Sequence, residues 1–332
     1  MSNTVLELYS GIGGMHCAWN DSGLPGKISA AVDINTVANE VYKYNFSETK
    51  VMTRNIQSIT PTEYSKMNIN TILMSPPCQP FTRNGKYLDE SDARTNSFIY
   101  LIGILDQLGS VEYILMENVK GFECSSVRSL FVDKLNECQF EYQEFLLCPS
   151  SVGVPNSRLR YYCIARRNKP SWNFWQKDII MESLPKEYEK PFSLNEILEE
   201  SVPDRYLVPE KLLKRAYIFD ICYKDSRRSC CFTKSYSHYM EGTGSVFSNN
   251  NPEIVEKVYN EANAFEGGSE EFVKVIKKLN LRFFTPKEIL SIMSFPRNYE
   301  FPKSITTKQC YRLLGNSVNV KVISELLKLL FH

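Results

Sequence analysis

Histidine is scarce in this sequence, with three among 332 residues, at positions 16, 238 and 332. The ten cysteines, at 17, 78, 124, 138, 148, 163, 222, 230, 231 and 310, form no CxxC pair. A zinc site therefore lacks both its ligands and its spacing, and no metal is expected. Scattered thiols do not read as a disulfide framework either, and the default reading of any one of them is a small buried hydrophobe. Charge of one sign is also missing. The net charge is +1, so a nucleic-acid partner would need a local basic patch. No apolar run approaches the roughly 18 residues needed to cross a bilayer. The opening Met-Ser-Asn-Thr-Val-Leu-Glu-Leu has no basic leader segment. An intracellular protein is expected, cytoplasmic and also nuclear, with no membrane partner.

What is present is ordinary for a globular chain: 43% hydrophobic and 23% charged residues. The length suits one large domain with a smaller one appended. In the first half, short apolar runs alternate with amphipathic stretches. Val5–Leu8, Ile28–Val32, Thr71–Met74, Tyr113–Met116, Glu144–Leu147 and Tyr161–Ala165 read as strands. Helices are expected up to about Gly23, over Thr36–Asn45, across the spaced Phe98, Leu101, Ile102, Leu105 and Leu108, and over Ser125–Cys138. Repeated β-α units predict an α/β fold with a doubly wound, mostly parallel, Rossmann-like sheet. Residues 168–210 carry five prolines and Trp172 and Trp175, and read as a linker to a smaller domain. Helical spacing returns at Thr285–Met293 and in the tail, at Val322, Ile323, Leu326, Leu327 and Leu330.

Four places carry chemistry. The first is the turn Tyr9-Ser10-Gly11-Ile12-Gly13-Gly14 after the first strand, with Asp33 closing the second. Glycines let a backbone approach a ligand, and a strand-end acid can accept ribose hydroxyls. The absence of a Walker lysine disfavours a nucleoside triphosphate. A tight structural turn and a helix-capping Asp account for these residues equally well. The second is Ser75-Pro76-Pro77-Cys78-Gln79-Pro80, where three prolines stiffen a loop at the sheet edge and hold one thiol in place. The third is Glu117, closing the strand over 113–116 at the same edge and available as an acid. In Asn156-Ser157-Arg158-Leu159-Arg160, alternating arginines point to one face, to hold a base oxygen and a phosphate, or else form a solvated strand end.

Taken in order, these motifs with Glu117-Asn118-Val119 and Gly315-Asn316-Ser317-Val318 resemble the cytosine-5 DNA methyltransferase family. Asn35–Phe46, Arg94-Thr95-Asn96-Ser97-Phe98, Cys231-Phe232-Thr233 and Glu241-Gly242-Thr243-Gly244-Ser245 look like its type-2 branch, whose members act mainly on tRNA. The resemblance covers about 1–167 and 205–332. It implies a methyltransferase domain over 1–180, a small target-recognition domain over 181–281 and a return to the first domain over 282–332. It further implies a monomer that uses S-adenosylmethionine, yields S-adenosylhomocysteine, and acts on cytosine 38 in the anticodon loop of aspartate tRNA.

By the same resemblance, Cys78 adds to cytosine C6 and makes C5 nucleophilic, Glu117 engages N3, and Arg158 and Arg160 hold the base and backbone. Tyr9, Gly11, Ile12, Gly13 and Gly14 line the methionine end of the cofactor, and Asp33 with Ile34 meets the ribose. Asn55, Ile56 and Gln57 flank the adenine, and Ser75, Asn316 and Ser317 complete the pocket. Position 55 is Asn where the family often has Asp, and position 156 is Asn where it often has Gln. Cys231 is expected to be structural or to position the target rather than serve as a second nucleophile, because one addition needs one thiol. Lys211, Lys214, Arg215, Arg227, Arg228, Lys234, Lys274, Lys277, Lys278 and Arg282 would supply a basic face, and Tyr236 and Tyr239 would stack on loop bases. DNA as substrate, and a catalytically silent nucleic-acid-binding protein, remain the alternatives.

Overall fold

The computed structural model describes residues 2–77, 96–176 and 178–332. Two units emerge: Met1–Cys148 with Leu159–Glu187 and Val318–His332, and Pro149–Arg158 with Tyr188–Ser317.

The first unit is built on one sheet of β1 (Asn3–Leu8), β2 (Gly26–Val32), β3 (Lys50–Met52), β4 (Thr71–Met74), β5 (Tyr113–Val119), β6 (Glu141–Leu147), β7 (Arg160–Arg166) and β8 (Ile180–Met181). Their order is β3-β2-β1-β4-β5-β7-β6-β8. Strands β1 to β5 pair in parallel, and their near-continuous apolar runs follow from burial on both faces. The expected run of β-α units breaks at β7, which is antiparallel to both β5 and β6. No crossover helix separates it from β6, and only such a crossover would return the chain parallel.

From β1 the chain winds through β2 to β3 on one side, then returns to place β4 on the other. The carboxyl ends of β1 and β4 therefore flank the switch point where open α/β sheets bind ligands.

Helices α1 (Gly14–Ser22), α2 (Thr36–Asn45), α3 (Pro61–Lys66), α4 (Asn96–Gly103) and α5 (Ser126–Glu137) connect these strands. Helix α1 stops at Gly23, whose φ of 70° suits the left-handed cap. Helix α2 starts at Asn35, whose side chain accepts the Val37 and Ala38 N–H groups. The helix expected to run to Leu108 ends at Gly103, and a 3-10 turn over Leu105–Gln107 follows. Leu105 and Leu108 still bury in the same core, so the apolar spacing persists through the break.

The expected linker is in part sheet. β8 pairs with β6, and the Trp172 and Trp175 indoles donate to the carbonyls of Leu329 and Tyr142, each at 2.9 Å.

The second unit holds α6 (Glu210–Leu213), α7 (Pro252–Ala262), α8 (Glu270–Lys277), α9 (Pro286–Ile292) and α10 (Thr307–Gly315). A small sheet of β9 (Ile221–Cys222), β10 (Val246–Phe247) and β11 (Arg282–Phe283) joins them in the order β11-β10-β9. Its core stacks Phe232, Tyr236, Phe283, Phe284 and Tyr311 edge to face.

Two expectations are corrected here. Arg282 is no part of a basic face, because it is buried and makes two 2.8 Å bonds to Glu288. Tyr236 cannot stack on a base, because it is 3% exposed and its hydroxyl bonds Ser245 O and the Phe284 N–H. The boundaries also differ from those expected. Residues 282–317 stay with the second unit, tied by the β10–β11 pairing and by the Phe284 N–H that donates to the Tyr236 hydroxyl. Only α11 (Val320–Phe331) lies in the first unit, against α1. Among the described residues no helix is long and apolar enough to cross a membrane.

Candidate active site

The glycine turn leaves β1 through a run of left-handed residues: Tyr9 at φ 55°, Gly11 at 51° and Gly13 at 82°. Gly13 is needed for two reasons. Its φ disfavours a side chain, and a Cβ there would lie 2.5 Å from the Phe46 ring. At Gly11 a Cβ would meet open space, so the main chain is bare on the side where a ligand can lie. The Gly11 N–H donates to Asp33 Oδ2 and the Asn35 N–H to Oδ1, both at 2.8 Å. Asp33 thus braces the turn as well as closing β2. Burial raises its pKa, and main-chain donors at Asn35, Gly11 and Ile34 oppose the rise.

Beneath the turn lies a buried polar relay absent from the sequence reading. Tyr42 Oη donates to Glu7 Oε2 at 2.7 Å and lies 2.8 Å from His16 Nδ1. With the phenol proton given to Glu7, the imidazole is the donor to the phenol oxygen. The His16 ring stacks on Phe46 at 3.8 Å, so the relay and the floor under Gly13 form one packed layer. The available signal was an acid inside the apolar run Val5-Leu6-Glu7-Leu8.

Burial pushes the Glu7 carboxyl up to about 8, against hydrogen bonds from Tyr42 and the His16 and Met15 main chain. Burial lowers His16 to about 4. A raised acid pKa means that the native state holds a proton which the unfolded chain releases. Stability from Glu7 is therefore complete below its unfolded pKa and is lost as pH rises through about 8. His16 acts in the opposite direction, but only between about 4 and its unfolded value of 6.5. Glu7→Gln, which mimics the protonated acid, is expected to remove up to about 1.4 kcal/mol per pH unit of the decline between roughly pH 6.5 and 8. Urea melts of both proteins across that range check this, and equal slopes would show that Glu7 is ionised in the fold.

At the other side of the switch point, Met74 pairs with Met116, so the chain leaves β4 one residue below the level of Glu117. Glu117 lies inside β5 rather than at its end, because the strand continues to Val119 against β7. It is buried, with Oε1 3.5 Å from Arg160 Nε. Arg160 opens β7 and also donates to Leu159 O at 2.8 Å. Ser75 stands between the two halves of this edge, its hydroxyl donating to Tyr9 O at 3.1 Å. Cys78, with Arg94 and Thr95, lies outside the described residues.

The remaining first-unit residues divide by exposure. Ile34 is 70% exposed beside Asp33, whereas the Ile12 and Ile56 side chains are buried. Asn55 caps the 3-10 turn Ile56–Ser58 by accepting the Gln57 N–H at 3.1 Å, and both side chains are exposed.

In the second unit Arg158 is 5% exposed, and its two terminal guanidinium nitrogens bond main-chain carbonyls. It donates to Phe232 O at 3.2 Å, Gly315 O at 3.4 Å and Ser317 O at 2.5 Å, with Cys231 Sγ at 3.4 Å. Asn156 donates to Ser229 Oγ and Cys230 O, each at 3.0 Å. Asn316 caps α10, and Ser317 is buried. A Cβ on Gly315 would sit 2.1 Å from the Lys234 nitrogen, which fixes that glycine by close approach of two backbones. Arg158 and Arg160 therefore do not act as one alternating face. β7 begins only at Arg160, and Arg158 belongs to the other unit.

The first-unit edge fits a nucleoside cofactor. Ser10 Oγ is buried in the turn with no hydrogen-bond partner among the described residues. Asp33 accepts three main-chain N–H groups, and a carboxylate has about four acceptor sites, which leaves room for a ribose hydroxyl. Among the described residues no group of three or more His, Cys, Asp or Glu could hold a metal ion.

The model of the C-5 cytosine-specific DNA methylase family matches residues 3–332. A tRNA (cytosine(38)-C(5))-methyltransferase of Spodoptera frugiperda is 67% identical over 332 residues, covering 100% of both chains. One of Homo sapiens is 41% identical, covering 99% of each. The crystal structure of a mutant of Spodoptera frugiperda DNMT2 superposes with a TM-score of 0.94 at 66% identity over 100% of both chains. A match over nearly every residue, on a doubly wound sheet with an acid and a glycine turn at its switch point, places this chain in the C-5 cytosine-specific DNA methylase family.

Proposed function

We propose that this protein transfers a methyl group from S-adenosylmethionine to C5 of cytosine 38 in the anticodon loop of aspartate tRNA. The observation that carries the chemistry is Glu117, buried beside Arg160 at the level where β4 hands over to the Cys78 segment, across the switch point from the glycine turn. Full-length identity to relatives named for cytosine 38 of tRNA supports the substrate.

S-adenosylmethionine, when bound, supplies the methyl group as an electrophilic sulfonium. The turn Tyr9–Gly14 would hold its methionine end, Asp33 with Ile34 its ribose, and Asn55–Gln57 its adenine. The protein's own residues make the base reactive. Cytosine C5 is a poor nucleophile, and addition of the Cys78 thiolate at C6 turns the ring into an enamine. Glu117, acting as the acid, gives N3 a proton as that bond forms, and Arg160 holds the carboxyl in place. After transfer, water takes the C5 proton, Glu117 recovers the N3 proton, and the C–H electron pair expels Cys78 as thiolate and restores the aromatic ring. A base in an unpaired loop costs less to turn out than one in a duplex, which favours RNA.

Bisulfite sequencing of total tRNA, after incubation with the purified protein and cofactor, tests the reading. Protection of cytosine 38 in aspartate tRNA is expected. Methyl transfer to duplex DNA with none to tRNA would overturn it.

A further inference from the structure

The mechanism sets a demand that the glycine turn alone does not meet. The methyl donor must face C5 while the thiol faces C6, and these are neighbouring atoms of one ring. The element that holds the cofactor and the segment that carries Cys78 must therefore keep register to a fraction of an ångström.

Tyr9 sits where that register can be set. It is an aromatic residue at φ 55°, a conformation ordinarily left to Gly or Asn. The bend gives it two links. Its main-chain carbonyl accepts the Ser75 hydroxyl at 3.1 Å, three residues before Cys78. Its own hydroxyl donates to Ser97 Oγ at 3.1 Å, in the first turn of α4, where the chain returns after that segment. The ring packs on the apolar core of the sheet, and burial of the phenol holds it protonated as a donor. Helix α4 is fixed a second time from the cofactor side, since Tyr100 Oη donates to Ile59 O at 2.8 Å, just beyond the Ile56–Ser58 turn. A phenylalanine at position 9 would supply the same packing. Only the hydroxyl makes the link to Ser97.

We propose that Tyr9 is a positioning residue, a two-ended tie that joins the cofactor turn to both flanks of the Cys78 segment through Ser75 and Ser97. Its hydroxyl acts on the placement of the nucleophile, whereas the cofactor contact expected of the turn belongs to its main chain and ring, which phenylalanine keeps. The consequence for methyl transfer rests on the tRNA methyltransferase reading; the tie itself does not.

Tyr9→Phe, Ser97→Ala and the double variant test it in two ways. In methylation of aspartate tRNA, each single variant is expected to lose about tenfold in kcat, with S-adenosylhomocysteine Kd within twofold and Tm unchanged. The double variant should be no worse than either single, because both remove one bond. Independently of any RNA, alkylation of Cys78 by iodoacetamide, followed at that peptide by mass spectrometry, should slow at least threefold when S-adenosylhomocysteine binds the wild type. That response should vanish in Tyr9→Phe and Ser97→Ala. An inactive wild type that keeps the alkylation response would sink the substrate reading and leave the tie standing. Tyr9→Phe with full kcat and an intact alkylation response, multiplicative losses in the double variant, or a Kd that rises in step with the fall in kcat would each overturn the tie.

Discussion

Cys78→Ala is expected to lose at least about 10³-fold in turnover while S-adenosylhomocysteine still binds within twofold of the wild type. The two halves of that result come from different parts of the fold. Catalysis loses its only route to a nucleophilic C5, since the glycine turn and Glu117 can bind and polarise but cannot add to C6. Cofactor binding survives because its expected contacts come from the turn after β1, from Asp33 after β2 and from the 3-10 turn at Ile56–Ser58, none of which the substitution removes. A second check is trapping. Wild type, S-adenosylmethionine and aspartate tRNA carrying 5-fluorocytosine at position 38 should form a complex that survives denaturing electrophoresis, because once C5 is methylated its fluorine cannot leave as a proton does. The alanine variant should form none. Turnover persisting in Cys78→Ala would mean that another group attacks, or that attack at C6 is not part of the reaction. Cys231 is the thiol to question first, and its place beside Arg158 in the second unit gives it a structural neighbour, not a reacting one.

Much of this machinery is legible from sequence, and what is legible shares one property. Strand β4 and helix α2 match their expected bounds because a short apolar run ended by polar residues, and an amphipathic stretch capped by Asn35, are local patterns. Asp33 and the glycine turn are legible for the same reason. The misses depend on partners distant in sequence. β7 reads as one more apolar run, and such a run carries no mark of direction. Glu7 interrupts an apolar run, yet it is 1% exposed, because Tyr42 and the start of α1 supply its hydrogen bonds. Ser97 is visible as part of a motif, but its partner Tyr9 is 88 residues away.

The arginine pair shows the same difference and yields the second large expected effect. Two arginines spaced x-R-x-R share a face only if both lie in one strand, and here the strand starts at the second. Arg160→Ala is expected to leave the protein folded, with Tm within about 2 °C of wild type. It should cost about 10²-fold in kcat/KM, because Glu117 loses the charge beside it just where it must bind the base. Arg158→Ala should do the reverse, with stability as the primary loss. Its guanidinium satisfies the carbonyls of Phe232, Gly315 and Ser317 inside the second unit. A buried group left unpaired costs about 1–3 kcal/mol, so three of them put the loss near 3 kcal/mol or more. At roughly 2–4 °C per kcal/mol, the melting point should fall by about 6 °C or more. Arg158→Lys should not restore it, because one ammonium cannot span carbonyls that a planar fork reaches from two nitrogens. Differential scanning calorimetry beside steady-state kinetics separates the two residues. Arg158→Ala melting with the wild type while inactive would return it to the role that its spacing with Arg160 suggested, in contact with the base.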